Sequence, residues 1–202
     1  MVSPILILGQ NPPNFQSNEM KDKKVESIIL NNMKGANEFE FMLAFHQVGY
    51  WNTGIKYTVL GYYQGNWTAF NWTIYYKSNK RTAENIRKTK RRKTIIKPNQ
   101  LDRLFVTLDS NDFWNLNIDS LNVYTKTDTI INDSLSALGI DAIEYFFNIS
   151  DGDTWVFEVI NNTEYRHLSS YEPEYFQEVI PIEERLKFMD CKKTFLSIFS
   201  GK

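Results

Sequence analysis

Three consecutive segments with alternating apolar and polar residues, joined by short turns, constrain the fold of this chain most strongly. They lie between residues 38 and 77, and the junctions carry the turn sequences Asn52-Thr53-Gly54 and Gln64-Gly65-Asn66. Successive side chains of a strand point to opposite faces of a sheet, so a period of two with many β-branched and aromatic residues indicates strands. Because turns this short connect antiparallel neighbours, the region predicts an antiparallel meander.

A later region predicts a second group of strands. Residues 140–168 alternate in the same way around Asp151-Gly152, a pair that favours a type I′ hairpin because both central residues of that turn need positive φ. Asn161-Asn162 predicts a further turn, which leads into a strand at residues 165–168. The chain therefore carries two strand groups with other structure between them.

Apolar spacing predicts helices outside the strand groups. Residues 100–116 and 182–199 place apolar side chains on one stripe of a helix. Residues 17–33 favour another helix, with a strand at 28–30 as the alternative. Because strands and helices are segregated along the chain, we predict an α+β fold in which an antiparallel β-sheet meander packs with two or three helices.

Composition supports one domain and excludes several kinds of site. The 202 residues are 42% apolar and 15% aromatic, which is enough for a sizeable core. The single cysteine, Cys191, allows neither an intramolecular disulfide nor a cysteine-based metal site. His46 and His167 are the only histidines, so a zinc site would have to use both and add carboxylates. We predict no metal and no cofactor.

The N-terminus indicates export. Residues 1–9 are apolar apart from Ser3, and the sequence then reaches Gly9-Gln10, as at the end of a signal peptide. Residues 1–16 are interpreted as a signal remnant or a flexible N-terminal segment, and 17–202 as a single domain with a basic insertion at about 78–99. The predicted location is periplasmic or extracellular, with the cytoplasm as the alternative. No apolar run is long enough for a transmembrane helix.

A dense run of positive charge is the least ordinary feature of the sequence. Positions 77–97 contain ten basic residues and one acid, although the whole chain has a formal net charge of -1. Residues 82–90 are interpreted as a short polar helix. The run is either a solvated loop resting on the acidic link at 172–184 or a surface for an acidic protein or polyanionic glycan. Nucleic acid is less favoured, because the run lacks aromatic residues that could stack on bases. Its candidate binding residues are Arg87, Lys88, Lys90, Arg91, Arg92 and Lys93.

One face of the third predicted strand is a second candidate binding surface. Trp67 and Tyr75 fall on this face together with Asn71 and Thr73. If no helix covers that side of the sheet, these residues form an exposed patch of the kind that often marks an interface.

No catalytic residue is predicted. The sequence lacks a phosphate-binding loop, a dinucleotide-binding glycine turn, a zinc-protease motif, a nucleophile elbow and paired Cys-x-x-Cys motifs. His46 and His167 are interpreted as structural, and Asp151-Gly152-Asp153 as a turn and not a calcium loop. The alternative is a hydrolase whose dispersed site combines His167 with the carboxylates of residues 172–184.

A short pattern in the second strand group carries a resemblance. Residues 151–158, Asp-Gly-Asp-Thr-Trp-Val-Phe-Glu, followed by Tyr165-Arg166 and Tyr171-Glu172-Pro173, resemble a recurring pattern in uncharacterised exported proteins of the Bacteroidetes. The resemblance implies export and a sheet-plus-helices fold, and it brings no activity with it. The predicted function is therefore a non-enzymatic exported binding or interaction domain. The hydrolase and a nucleic-acid or polyanion binder are the alternatives.

Overall fold

A six-stranded antiparallel sheet organises the chain. The computed structural model describes residues 11–16, 27–49, 54–77, 85–129 and 142–200. The strand order in the sheet is β4-β3-β2-β1-β7-β8, and β5 and β6 form a separate two-stranded ribbon. The strands are β1 (Phe41–Val48), β2 (Gly54–Tyr63), β3 (Asn66–Tyr76), β4 (Ile86–Thr94), β5 (Thr125–Thr129), β6 (Ala142–Phe146), β7 (Thr154–Asn161) and β8 (Tyr165–Tyr171).

The described residues also form five α-helices and two 3₁₀ turns beside the sheet, which confirms the predicted α+β class. The two long helices correspond to the two predicted at 100–116 and 182–199, and the N-terminal segment is helical at 28–30 and not a strand. No described helix is long and apolar enough to span a membrane. The helices are α1 (Ile28–Asn32), α2 (Pro98–Ser110), α3 (Ile118–Leu121), α4 (Pro173–Val179) and α5 (Glu183–Ser197), and the 3₁₀ turns are η1 (Ala36–Glu38) and η2 (Phe113–Asn115).

The predicted meander is confirmed in β1, β2 and β3. These strands are antiparallel neighbours, and β2 and β3 are joined directly by a two-residue loop. Gln64 and Gly65 have φ of 47° and 77°, which is the positive φ that both central residues of a type I′ turn require. Asn52 and Thr53, in the other predicted turn, lie outside the described residues.

The basic run is a strand from Ile86 to Thr94, so the predicted helix at 82–90 is wrong for residues 86–90. β4 pairs with β3 from Ala69↔Thr94 to Tyr75↔Lys88. A helix would have needed an apolar face that this sequence lacks. An edge strand needs only backbone hydrogen bonds to one neighbour, so pairing with β3 overrides the weak local preference. Residues 78–84 lie outside the described residues.

The hairpin predicted at Asp151-Gly152 is also wrong. β6 pairs with β5, whereas β7 pairs with β1 and β8, so no paired strands flank this dipeptide. Asp151 has φ of 65°, whereas Gly152 does not have positive φ, and its N–H donates to the Tyr171 hydroxyl at 2.9 Å. The turn predicted at Asn161-Asn162 is present between β7 and β8. β7 lies beside β1, where both of its faces are buried. The contacts that bury them come from residues distant in the sequence, so local spacing does not predict this pairing.

The sheet is covered on both faces. One face carries an apolar cluster with α2 and α5, in which Leu43, Leu60 and Phe157 of the sheet are fully buried. The other face carries a second cluster with α1 and η1, which includes Ile29 and Val59. Each face thus has its own core, and the sheet belongs to both.

Candidate functional site

The basic strand β4 forms one edge of the sheet, and residues 87–93 are all exposed. Because paired residues of antiparallel strands share a face, the register divides its charges between both faces. Lys90 and Arg92 pair with Thr73 and Asn71 on the α2/α5 face. Arg91 pairs with Trp72 and lies on the α1 face. Cations therefore alternate along an open edge.

The interpretation of the basic run as a loop resting on the acidic link is wrong for residues 86–94, which form β4. β4 and β8 are the two outer strands of the sheet, and the acidic link follows β8. Five inter-strand spacings separate these edges by about 24 Å. Within the described residues, the carboxylates of the link that form ion pairs meet lysines of α5, namely Glu183 with Lys187 at 2.7 Å and Glu174 with Lys192 at 3.8 Å.

The β4 cations contact aromatic rings instead of carboxylates. The Arg91 guanidinium lies 3.7 Å from the ring centroid of Phe70, and Lys88 Nζ lies 4.9 Å from that of Tyr75. Partial burial lowers the pKa of Arg91, and the charge of Glu38 opposes this shift. Among the described residues, no carboxylate oxygen lies within 4.0 Å of a β4 cation. The sequences of β2, β3 and β4 contain no acidic residue. Within the described residues, the cations of this edge therefore form no ion pair, although the charge of Glu38 acts on Arg91 at longer range.

Trp67 and Tyr75 share a face but have different surroundings. The Trp67 ring packs between those of Tyr62 and Phe105, at centroid distances of 5.0 and 5.2 Å, and belongs largely to the core. Tyr75 is 37% exposed and lies beside Lys88. The exposed part of this face is therefore at the Tyr75 end, next to the basic strand.

A cleft of about 860 Å³ lies at the C-terminal end of β4. Apolar side chains approach it from several elements, and Ile95, which directly follows β4, is 91% exposed. The cleft combines such groups with cations of β4. Its principal lining residues are Glu38, Phe39, Tyr63, Trp67, Arg91, Lys93 and Ile95.

A second site, not predicted from the sequence, lies on the α1 face of the sheet. It is a chamber of about 160 Å³ lined by Ser27, Ile28, His46, Tyr57, Glu158, Tyr165 and His167. The strand register builds it, because His46 pairs with Tyr57 and Glu158 pairs with His167 across neighbouring strands. Both histidines of the chain therefore line one chamber.

Glu158 is the centre of the chamber and is only 3% exposed. Its Oε2 accepts hydrogen bonds from the Ser27 hydroxyl at 2.6 Å and the Tyr165 hydroxyl at 3.1 Å. The Nε2 atom of His46 lies 3.5 Å from Oε1. The carboxylate thus ties α1 to β1 and β8.

These contacts keep Glu158 ionised despite its burial. Burial raises the pKa of Glu158, but hydrogen bonds and positive charge from His46, with contributions from Ser27 and His167, outweigh it and leave the pKa below the usual value. Burial, and secondly the charge of Glu158, raise the pKa of Tyr57 well above its usual value, so this phenol keeps its proton.

The structure brings the two histidines together. His46 and His167, interpreted from the sequence as structural, both line a chamber with a buried carboxylate. The carboxylate opposite His167 is Glu158 and not a member of the 172–184 cluster. The sequence held one signal for Glu158, since Val156 and Ile160 on the same face are apolar and indicate a buried position. Alternation with Trp155, Phe157 and Val159 instead suggested a solvent-facing glutamate.

Neither comparison with known proteins nor the grouping of possible metal ligands adds information about the function of either site. No protein-family model matches the chain, and no curated protein is similar to it. Among the described residues, no three His, Cys, Asp or Glu side chains are grouped so that they could hold a metal ion. The thiol of Cys191 is fully buried, and burial raises its pKa to about 12, which leaves it unreactive as a nucleophile.

Proposed function

We propose that the protein is a non-enzymatic binding domain that takes up an acidic, extended segment of a partner protein along the outer edge of β4. The observation that carries this proposal is the alternation of cations on both faces of an edge strand. Following the N-terminal sequence pattern, we place this activity in the periplasm or outside the cell.

The backbone of β4 supplies the framework for such a partner. Within the described part of the chain, β4 pairs with β3 and with no other strand. The outward N–H and C=O groups of an edge strand are a template for an added strand, and several peptide-recognition domains bind their ligands in this way. An extended segment would continue the sheet as a seventh strand.

The two-faced charge pattern favours a peptide over nucleic acid or a glycan. The side chains of an added strand also alternate between faces, so acidic residues on it would meet Lys90 and Arg92 on one face and Arg91 and Lys93 on the other. Opposite charges across strands contribute about 0.2–1 kcal/mol per pair. A polyanion laid against one face would leave the cations of the other face unused.

The same charges select against the wrong partner. An edge strand can pair with the same edge of another copy, and lysine or arginine side chains prevent this because like charges then face each other. Preventing this pairing between copies would by itself need fewer cations than the six that β4 carries. Repulsion of copies and attraction of an acidic strand together provide specificity.

Binding of synthetic peptides tests the proposal. We expect an extended peptide of alternating glutamate and threonine to bind with one-to-one stoichiometry in calorimetry, and its affinity to fall with salt. The same peptide N-methylated on the amides that would face β4 should not bind, because it cannot pair with the strand. Tighter binding of single-stranded DNA or a sulfated glycan than of the acidic peptide would refute the proposal, as would equal binding of the methylated peptide.

A matched pair of variants locates the site. Lys90→Thr with Arg92→Thr should weaken binding of the acidic peptide about tenfold, since two cross-strand charge pairs are lost. Arg103→Thr with Lys193→Thr removes the same charge from exposed positions on α2 and α5 and should leave the affinity unchanged. Equal effects of the two variants would indicate a general charge effect and not a site on β4.

A further inference from the structure

The cleft at the C-terminal end of β4 continues the proposed binding edge but has a different chemistry. Its volume is about 860 Å³, and its walls combine aromatic and aliphatic side chains with cations. β4 pairs with β3 up to Ala69↔Thr94, and the chain then continues through Ile95 to α2. A segment bound along β4 would therefore reach the cleft as it passes the end of this strand.

The apolar surface of the cleft is open to solvent. Ile95 is 91% exposed, Tyr63 is 39% exposed and Phe39 is half-buried. Single exposed apolar side chains are common on protein surfaces, but these three line one cleft, and exposed apolar patches often mark an interface. The acidic residues of the proposed partner segment offer nothing that would cover this surface. An apolar group of the partner is needed for that.

The contacts between rings and cations in the cleft favour an aromatic group over an aliphatic one. The rings of Phe39 and Tyr63 meet edge to face at a centroid distance of 6.3 Å. The Arg91 guanidinium lies 5.7 Å from the centroid of the Phe39 ring. An added aromatic ring can make edge-to-face contacts with such rings and can also accept a cation over its face. An aliphatic side chain gains only the apolar contact.

Glu38 makes the cleft less suited to a carboxylate than the β4 edge is. Its exposed side chain lines the cleft together with the cations Lys34, Arg91 and Lys93. The carboxylate therefore offsets part of their positive charge, whereas the sequences of β2, β3 and β4 contain no acidic residue. The preference for acidic side chains is consequently weaker in the cleft than along β4.

We propose, building on the strand addition at β4, that the cleft takes up one aromatic side chain of the partner segment, placed just before its acidic residues. All described strand pairs are antiparallel, and antiparallel pairing is slightly more stable per residue. The N-terminal part of an antiparallel segment lies beside the C-terminal end of β4. The side chain two residues before the one that faces Lys93 shares its face and lies at the cleft.

Three acetylated and amidated peptides of alternating glutamate and threonine test this proposal by calorimetry. One begins with tryptophan and threonine, one has threonine in place of the tryptophan, and one has the tryptophan moved to its last position. We expect the first to bind about tenfold more tightly than the second, the effect of partly burying one aromatic side chain. The third should bind like the second, because its tryptophan lies at the wrong end of β4.

NMR of isoleucine methyl groups locates the tryptophan. The Ile95 methyl signal, assigned by its loss in Ile95→Thr, should shift strongly with the first peptide only, because the indole ring changes the local magnetic field. Ile95→Thr should also reduce the tenfold gain to about threefold, since it removes apolar surface from the cleft. Val106→Thr is the matched control at a 66% exposed position of α2 that does not line the cleft, and it should leave the gain unchanged.

The outcomes separate this proposal from the strand addition on which it rests. Equal affinity of all three peptides, or a gain that does not depend on the position of the tryptophan, would overturn the aromatic site and leave the binding edge at β4 in place. A full gain in Ile95→Thr would also overturn it, because the tryptophan would then bind elsewhere. Absence of binding by every peptide would refute the binding edge and the aromatic site together. Unchanged binding of the first peptide after N-methylation of its amides would refute the strand addition but not the aromatic site.

Discussion

At the scale of single residues, Glu158 is the side chain whose ionisation should be visible in stability. Its folded pKa lies below the ordinary value of 4.5, because hydrogen bonds and positive charge outweigh burial. The lowered pKa therefore contributes stability that is present above the unfolded pKa and is lost as pH falls through the folded pKa. We expect the free energy of unfolding in urea to fall between about pH 5 and pH 3 by an amount that Glu158→Gln removes.

The same variant should lower stability at neutral pH by about 2 kcal/mol, because the neutral amide accepts weaker hydrogen bonds from Ser27 and Tyr165 than the carboxylate does. Glu178→Gln, at an exposed position of α4, is the matched control and should leave the pH profile unchanged. If Glu158→Gln has the stability and pH profile of the wild type, Glu158 is not held ionised by its neighbours.

The sequence could not identify this residue because its role depends on partners far along the chain. Ser27 lies 131 residues from Glu158, and His46 reaches it only because β7 inserts beside β1. Local alternation assigns a side chain to a face of a strand, but it does not say which strands become neighbours. The basic residues of β4 were identifiable, since their charge density is a property of the sequence itself.

At the scale of elements, the side chain of Arg185 connects α5 to other parts of the chain by hydrogen bonds. It is fully buried, and its guanidinium donates to the carbonyl oxygens of Ile180 at 2.7 Å, Val123 at 2.9 Å and Leu121 at 3.3 Å. We expect Arg185→Leu to lower the free energy of unfolding by about 3 kcal/mol or more, because three carbonyl groups lose a charged donor in a buried place. Urea denaturation measures this loss.

Arg103→Leu on the exposed side of α2 is the control for this prediction and should change stability by less than about 0.5 kcal/mol. Arg185→Lys keeps the charge but lacks the planar fork, so it should recover only part of the loss. Full stability of Arg185→Leu would mean that apolar packing compensates for the three hydrogen bonds.

Strands and helices were predictable where the local sequence pattern favours the same structure as the contacts with distant parts of the chain. β1 to β3 have two-residue periodicity and short turns, and they form the meander. β4 has no apolar face, so only its pairing with β3 makes it a strand. The dipeptide Asp151-Gly152 has hairpin chemistry, but the strand before it joins β5 instead of β7. Local propensity fails at these two places because long-range pairing decides.

At the scale of the whole molecule, the sheet separates the two sites. The edge strand β4, the proposed binding edge, ends one side of the sheet, whereas the Glu158 chamber lies over β1, β2, β7 and β8 on the α1 face. The acidic link at the opposite edge cannot neutralise the basic edge within one copy. In the described part of the chain, the basic strand and the acidic link therefore lie at opposite edges of the sheet.

Reversing the charge of the β4 edge tests whether this edge accepts an added strand. In a variant with Lys88→Glu, Lys90→Glu and Arg92→Glu, together with Arg91→Glu and Lys93→Glu, the edge becomes acidic on both faces while β3 still pairs with it. Mixed with wild type, this variant should form a heterodimer through β4–β4 pairing, because opposite charges now face each other across open edges. Sedimentation velocity of the mixture measures it. Each protein alone should gain no dimer through this edge, and a mixture that sediments as the sum of its components would show that β4 does not accept an added strand.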